Sequence, residues 1–380
     1  MQNIMYLGLV SFFSDISAEM VYPLIPLYLV SSFGATPVIV GIIEGIAESM
    51  ASLLKVFSGY FTDKYQKKKP IAFCGYAMGL FYKIALVFAA SWVGILFARI
   101  IDRIGKGIRT APRDVLLSES ADKNSMGQAF GIHKALDMAG SALGILIAYL
   151  LLVNAQGNFN YEKLFLISIV PMIIGLIALL LVKEETESTQ TKLREPFWDG
   201  MKKLDGKLKL YLLIVFIFTL GNSSNTFLLL RAKSVGFSDT NVVLLYLVYN
   251  LSAAILSFPF GKLSDKVGRK NVLVAGYIVF ASVYFGFAFA TNATTLIISF
   301  ICYGIYTALI SGTERAMIAE ISPPALKGTM LGLHATLVGI ALLPASIIAG
   351  ALWNVFGAVA PFSFGASLSL LAALLLIRYL

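Results

Sequence analysis

Twelve long apolar stretches, separated by short polar connections, constrain this chain more than any other feature of its sequence. Of its 380 residues, 58% are hydrophobic and 13% are charged, whereas about 25% of the residues of an average soluble domain are charged. A helix that crosses a bilayer needs about 20 mostly apolar residues. The predicted spans, numbered 1 to 12, are roughly 4–29, 38–61, 70–91, 93–118, 128–153, 162–182, 209–230, 240–261, 270–291, 294–320, 328–350 and 356–380. We therefore expect an all-α integral membrane protein with twelve transmembrane helices.

The second half of the chain repeats the first. The connection after span 2, GYFTDKYQKKKP at 59–70, is matched by GKLSDKVGRK at 261–270 after span 8. Further along, MGQAFGIH at 126–133 returns 201 residues later as KGTMLGLH at 327–334. Self-similarity of this kind predicts two copies of one membrane unit, an architecture typical of carriers.

The repeat also predicts the domain organisation. Glu119 and Glu320 keep the same spacing of 201 residues as the paired motifs. Between the two sets of six spans, 183–208 mixes charges of both signs with Pro and Gly, as expected of a solvated linker. We predict an N-terminal six-helix half at 1–182, a cytoplasmic linker at 183–208 and a C-terminal six-helix half at 209–380, related by pseudo-symmetry.

The distribution of Lys and Arg in the short connections predicts the orientation. The connections near 30–37, 90–92, 291–293 and 354–355 contain neither residue type. The loops after spans 2 and 8 are instead strongly basic through Lys64, Lys67, Lys68, Lys69, Lys262, Lys266, Arg269 and Lys270. We therefore expect a multi-pass protein of the plasma (inner) membrane whose two termini both face the cytoplasm.

Several other classes of protein are disfavoured. The net charge of +9 comes from short loops and from span 4, and no basic face alternates with aromatic residues, so nucleic acid is not an expected partner. Cys74 and Cys302 lie singly within apolar stretches, where packing is their usual role. The sequence contains neither an HExxH nor a GxxxxGK[ST] motif. We expect no enzyme, no catalytic or metal-binding residues, no cofactor and no ATP-driven pump.

The loop after span 8 resembles the signature of the major facilitator superfamily, Gly-x-x-x-Asp-x-x-Gly-Arg-Lys. Its matching residues are Gly261, Asp265, Gly268, Arg269 and Lys270, and the first-half copy matches through Gly59 and Asp63. The glycine should let two helices approach closely, and the aspartate can cap a neighbouring helix. DRIGKGIRTAPRD at 102–114 is similar to a segment of a widespread prokaryotic branch of the superfamily. The resemblance implies a monomeric secondary active transporter that alternates its access, with membrane lipid and a small-molecule solute as partners.

Many ionisable side chains lie inside the first five spans, although each costs about 3 kcal/mol on insertion scales. Acidic and basic candidates are Asp15 and Glu19 in span 1, Glu44 and Glu48 in span 2, Arg99, Asp102, Arg103 and Lys106 in span 4, and Asp137 in span 5. Mutual neutralisation explains most of these residues. Because apolar groups can often replace buried ion pairs without loss of stability, we expect part of the set to bind substrate or to couple transport to protons.

Depth estimates organise these residues into two tiers. At about 1.5 Å per helical residue, Glu19, Glu44 and Arg99 should share one level. The next level should hold Asp15, Glu48, Asp102, Arg103 and Asp137. The second half offers hydrogen-bonding and aromatic groups near mid-depth instead, namely Asn222 and Asn225 in span 7, Asn250 in span 8 and Tyr306 in span 10. For these groups, holding helices together is an equally good interpretation.

The expected solute is a small polar or anionic organic molecule whose negative group meets Arg99, Arg103 or Lys106. Protons should move through acidic side chains of spans 1, 2 and 5. One alternative is an exporter of cations or amphipathic drugs that uses the carboxylates of spans 1 and 2. An alternative of another class is a channel or membrane scaffold.

Overall fold

The computed structural model describes residues 2–65, 67–120, 126–155, 159–184, 205–310, 312–321 and 327–379. Throughout these residues the regular structure is helical, and helices occupy all twelve predicted spans. An apolar chain in lipid must satisfy its backbone polar groups within itself, which a helix does. The prediction of a twelve-helix membrane protein is confirmed.

The helices of spans 1 to 6 are Gln2–Val21, the short 3₁₀ helix Tyr22–Leu24 and Ile25–Phe33 for span 1, then Pro37–Tyr65, Lys68–Val87, Trp92–Glu119, Met126–Asn154 and Tyr161–Leu181. Those of spans 7 to 12 are Gly206–Gly221 with Thr226–Ser234, then Asp239–Val267, Arg269–Phe289, Ala293–Ile310 with Thr313–Ile321, Lys327–Phe356 and Val359–Tyr379. Spans 1, 7 and 10 are thus interrupted helices.

Span 4 differs from the other spans in composition. Across the part of the chain that the structure describes, eleven helices are long and apolar enough to cross a membrane, and Trp92–Glu119 is not one of them. Its helix is nevertheless continuous over 28 residues and begins at an N-cap, where Ser91 accepts a hydrogen bond from the Gly94 backbone. Charged side chains therefore line a helix that the fold still places among the spans.

The chain divides into two compact units. One comprises Met1–Ala35 and Ile46–Thr191, and the other comprises Thr36–Gly45 and Lys192–Leu380. The first turns of span 2 thus belong with the second unit. The domain boundaries at 182 and 209 remain a prediction, and most of the predicted linker lies outside the described residues.

Glycines allow close helix packing within each unit. A Cβ atom on Gly140 of span 5 would lie 2.3 Å from the Phe12 carbonyl oxygen of span 1. In the second unit, a Cβ on Gly41 would lie 2.3 Å from the Ser346 carbonyl oxygen. Any larger residue at either position would force the two helices apart, and the polar groups described below depend on such contacts for their spacing.

Candidate functional site

Two buried arginines of span 4 share one carboxylate. Arg99 and Arg103 are only 1% and 5% exposed. The Oδ2 atom of Asp102 lies 3.7 Å from Nη1 of Arg99 and 3.6 Å from Nε of Arg103. Because the three residues follow one another at helical spacing, the cluster is built on a single rigid element.

Span 2 supplies a second carboxylate to this cluster. Glu48 Oε1 lies 3.0 Å from Arg103 Nη2. The two helices come this close because Gly107 has no side chain. A Cβ atom on it would lie 2.6 Å from the Leu54 side chain. Arg103 is therefore held between Glu48 and Asp102, and a movement of span 2 relative to span 4 would change this pairing.

An aromatic ring completes the cluster at the interruption of span 1. The Tyr22 ring centroid lies 5.3 Å from Cζ of Arg99 and 5.9 Å from Cζ of Arg103. Both distances permit a cation–π interaction. Sequence reasoning missed Tyr22, although the Tyr-Pro step inside an apolar span was the signal, since Pro23 marks the short 3₁₀ helix.

Lys83 of span 3 is the most deeply buried lysine near this cluster. It is 1% exposed, and its Nζ atom lies 4.4 Å from the Tyr82 ring centroid. Asp102 interacts electrostatically with Lys83 as well as with Arg103, Arg99 and Arg109. No sequence pattern indicated this position of Lys83, because a lone lysine in an apolar span belongs to no motif.

The C-terminal half of span 4 contacts span 1 and span 3. Arg109 Nη1 donates a hydrogen bond to Ser14 Oγ at 2.9 Å, and its Cζ lies 4.4 Å from the Tyr76 ring centroid. Lys106 is exposed. Arg113 pairs with its neighbour Asp114 at 2.8 Å. The partners of the basic residues of span 4 therefore change along the helix, from shared ion pairs to single polar contacts.

A second acidic group forms between spans 1 and 5. The Asp15 and Asp137 carboxyl groups interact with each other, and Arg109 and Lys106 act on Asp15 electrostatically. Lys134 Nζ lies 2.6 Å from Asp137 Oδ2. Two carboxylates cannot share a hydrogen bond unless one of them carries a proton. The pair is thus suited to hold one proton between two helices.

The structure brings several members of the predicted two-tier network together. Glu48 and Arg103, predicted at one level, contact each other. Asp15 interacts with Asp137, which was predicted at its level. Glu44 belongs to the other unit, and Glu19 is partly buried on span 1. Depth along a helix gave the level of these side chains, but the direction in which each one points depends on helix rotation.

In the second unit, polar side chains meet where span 7 is interrupted between Gly221 and Thr226. Asn222 Nδ2 donates to the Tyr306 hydroxyl at 3.1 Å. The Tyr303 hydroxyl donates to Asn225 Oδ1 at 2.8 Å, and Asn225 Nδ2 lies 3.5 Å from the Tyr249 hydroxyl. Non-helical backbone at membrane depth is tolerated where it is buried in protein, and these side-chain hydrogen bonds connect the interruption to spans 8 and 10.

Glu44 lies at the same interruption. Its side chain is 1% exposed, and its Oε2 atom accepts a hydrogen bond from Ser224 Oγ at 3.2 Å. Asn250 instead donates to the Tyr246 carbonyl oxygen of its own helix at 2.9 Å. The second unit therefore combines one buried carboxylate with a ring of tyrosine hydroxyls and amides.

The loop motif is only partly described by the structure. Among the described atoms, none lies within 4 Å of a Cβ placed on Gly261, so the predicted close helix contact at this glycine stays a prediction. Gly268 has φ 88°, which favours glycine, and it caps two helices. The surroundings of Gly59 and the side chains of Asp63 and Asp265 lie outside what the structure describes.

Equivalent ion pairs follow the loop motif in the two halves. Arg269 Nη1 lies 2.7 Å from Glu320 Oε2 and donates to the Ala316 carbonyl oxygen at 3.1 Å. Lys68 and Glu119, each 201 residues earlier, form the same pair in the first half. The repeated glutamates therefore connect the start of spans 3 and 9 to the C-terminal ends of spans 4 and 10.

We expect the first-half pair to be the stronger of the two. Lys68 is 6% exposed as a side chain, whereas Arg269 is 30% exposed. Glu119→Gln should lower the free energy of unfolding by about 2 kcal/mol and slow transport, because it leaves a buried cation unpaired. Glu320→Gln should cost less than about 1 kcal/mol.

Melting temperatures and initial transport rates of the two variants would measure this difference. Lys233→Gln, which breaks an exposed pair with Asp239, is the control. A loss of solute affinity in Glu119→Gln would contradict a purely conformational role for this pair.

The comparisons with known proteins agree with this architecture. The profile of the Major Facilitator Superfamily matches residues 7–223 and 210–380, so the chain belongs to that family. It is 39% identical over 382 residues to an uncharacterized MFS-type transporter of Methanocaldococcus jannaschii, covering 99% of this chain and 94% of the relative.

Two further similarities are more distant. The multidrug resistance protein MdtH of Aeromonas salmonicida is 21% identical over 339 residues, which cover 86% of this chain and 81% of that protein. A crystal structure of the nucleoside transporter NupG superposes with a TM-score of 0.82 at 14% identity and covers 99% of both chains. The protein is thus a membrane transporter of the major facilitator type.

Proposed function

We propose that this transporter moves a small polar or anionic organic solute by alternating access, coupled to protons. The cluster around Asp102 carries the proposal. Arg99 and Arg103 are almost fully buried, and a buried guanidinium pair presents donors in the geometry that carboxylate and phosphate groups accept. Since an apolar interface would be at least as stable, a cluster of this cost is best explained by binding.

The Asp15–Asp137 pair supports coupling to protons. Two carboxyl groups that share one proton change their joint charge when Lys106 or Arg109 moves closer to or away from them. Span 1 provides both Asp15 and the Tyr22 interruption, so one element contacts the proton pair and the arginine cluster. A shift of span 1 would therefore couple loss of the proton to a change at the cluster.

A binding and transport experiment tests the proposal. Purified protein is screened by thermal shift against carboxylates, phosphate esters, sugars, nucleosides and lipophilic cations, because a ligand of the folded state raises its apparent stability. Proteoliposomes with an imposed proton gradient then measure uptake of each ligand. We expect an anionic or polar solute to bind and to accumulate with saturation. Uptake that rises linearly with concentration would indicate a pore and contradict the proposal.

Glu44 favours a second candidate, an exporter of amphipathic cations. Its buried carboxylate lies beside the Tyr-rich interruption of span 7, and carboxylates with aromatic rings bind organic cations well. The similarity to MdtH agrees with this alternative. In the same screen, stabilisation by tetraphenylphosphonium that is lost in Glu44→Gln, with no response to any anion, would replace the first candidate by the second.

A further inference from the structure

We propose that a cleft where span 1 ends and span 6 begins binds an organic cation, held by aromatic rings and by the carboxylate of Glu162. The predicted orientation places this cleft on the outer face of the membrane. Its ligand class is an alkylammonium group such as that of choline. The inference goes beyond the proposed function, because it involves none of the residues around Asp102 and does not depend on which solute is transported.

The size and lining of the cleft indicate what it can bind. Its volume is about 620 Å³, which is within the range of small-molecule sites. Four of the eight residues that line it are aromatic, namely Tyr28 and Phe33 of span 1, Phe159 before span 6, and Tyr161 at the start of span 6. The faces of aromatic rings carry partial negative charge, so several rings around one cleft attract a cation.

Contacts among the rings hold them in place. The centroid of the buried Tyr28 ring lies 4.8 Å from that of Tyr161 and 5.4 Å from that of the fully buried Phe165. Phe33 meets Tyr28 edge to face at 5.2 Å. Phe159 meets Tyr161 in the same way at 5.0 Å. In an edge-to-face pair one ring uses only its edge, so that contact leaves its faces available. Rings fixed in this way lose little conformational entropy when a ligand binds.

Glu162 supplies the charge of the cleft. It is exposed in the first turn of span 6, and among the described lining residues it is the one that is charged. Asn160 Oδ1 accepts a hydrogen bond from the Lys163 backbone at 2.9 Å and thereby fixes the start of this helix. Lys163 lines a separate cleft of about 300 Å³. A carboxylate beside aromatic rings favours an organic cation as the ligand.

The corresponding cleft of the second half shows that the repeated fold does not require this chemistry. Each half has a glycine with positive φ after its first span, Gly34 at 60° and Gly236 at 101°. The turn at Gly236 borders a cleft of about 290 Å³, whose described lining residues include one aromatic residue, Phe237, and no charged residue. An aromatic belt at the membrane interface would also need no carboxylate. Binding of a cation therefore explains the first-half cleft better than the repeat or the membrane does.

The test compares choline with dimethylbutanol, in which a carbon atom replaces the charged nitrogen. Their dissociation constants are measured by calorimetry on the purified full-length protein in a non-ionic detergent near pH 7. We expect choline to bind about tenfold more tightly than the alcohol. Glu162→Gln should remove most of that difference, and Phe159→Leu should reduce it. Lys163→Gln, which changes the neighbouring exposed residue, is the matched control and should not weaken choline binding.

Several results would overturn the inference. Equal binding of the two probes, or binding of neither, would show that the cleft does not recognise the charge. A preference for choline that persists in Glu162→Gln would have the same consequence. Loss of choline binding in Glu44→Gln but not in Glu162→Gln would place the cation at the interruption of span 7 instead. Because Glu162 is exposed, we expect its variant to melt close to the wild-type temperature, and a large drop would assign the residue a structural role.

A further comparison identifies the source of the alkylammonium group. Choline affinity is measured in nanodiscs of phosphatidylglycerol with and without phosphatidylcholine. If a lipid headgroup occupies the cleft, phosphatidylcholine should weaken choline binding severalfold by competition. An unchanged affinity would assign the cleft to a soluble cation. Both results support the cation site, and neither bears on the anion site around Asp102, which the broad screen tests separately.

Discussion

Arg103→Gln should abolish most transport and lower the free energy of unfolding by about 3 kcal/mol. The reason is that Glu48 and Asp102, which lie 3.0 Å and 3.6 Å from the guanidinium, would keep their charges without their main partner. Melting temperature in detergent and uptake into proteoliposomes measure the two effects. Arg113→Gln is the matched control, because Arg113 pairs with the 44% exposed Asp114 and should cost less than about 1 kcal/mol.

The double variant Arg103→Gln with Glu48→Gln separates pairing from binding. Removing both partners should restore most of the lost stability, since no charge is left unpaired. Transport should stay lost if Arg103 binds the solute, and it should return if the arginine only neutralises Glu48. Strictly additive losses in the double variant would show that the two side chains do not interact in the working protein.

Asp15→Asn and Asp137→Asn should each reduce uptake driven by a proton gradient more than about tenfold. Exchange of solute across the membrane should continue in both variants. With an amide in place of one carboxyl group, no proton can be shared between two carboxylates, and the remaining carboxyl group titrates without a charged carboxylate partner. The measurement compares gradient-driven uptake with counterflow in the same proteoliposomes.

Comparing gradient-driven uptake with counterflow separates proton coupling from solute binding. Asp114→Asn provides a control near the C-terminal end of span 4, where the carboxylate is 44% exposed and pairs with Arg113. If counterflow falls together with gradient-driven uptake in both carboxyl variants, the pair contributes to binding or folding and not to coupling. If neither activity changes, protons are coupled elsewhere or not at all.

The sequence by itself determined the class of fold. Apolar stretches of about 20 residues can be satisfied in a bilayer only as helices, so twelve spans followed from composition and length alone. The repeat at a spacing of 201 residues placed Glu119 and Glu320 at equivalent positions before any contact was known. The number of spans and the repeat both depend on distances along the chain, and these distances can be read from the sequence.

The composition of the site was also predictable, but not its pairing. Helical spacing placed the charges of span 4 on one side, and depth placed Glu48 near Arg103. Which carboxylate meets which cation depends on the rotation of each helix about its axis, and several rotations bury the same apolar area equally well. The pairing of Asp15 with Asp137 was therefore not accessible from the sequence.

Tertiary structure alone decided the roles of residues that have no pattern. Lys83 is a single lysine in an apolar span, and Tyr22 is one of 17 tyrosines. Each gains its meaning from groups on span 4, whose sequence distance carries no information about contact. Likewise, Glu44 and Glu48 lie one helical turn apart, yet they belong to different units because packing of neighbouring helices, and not sequence, divides span 2.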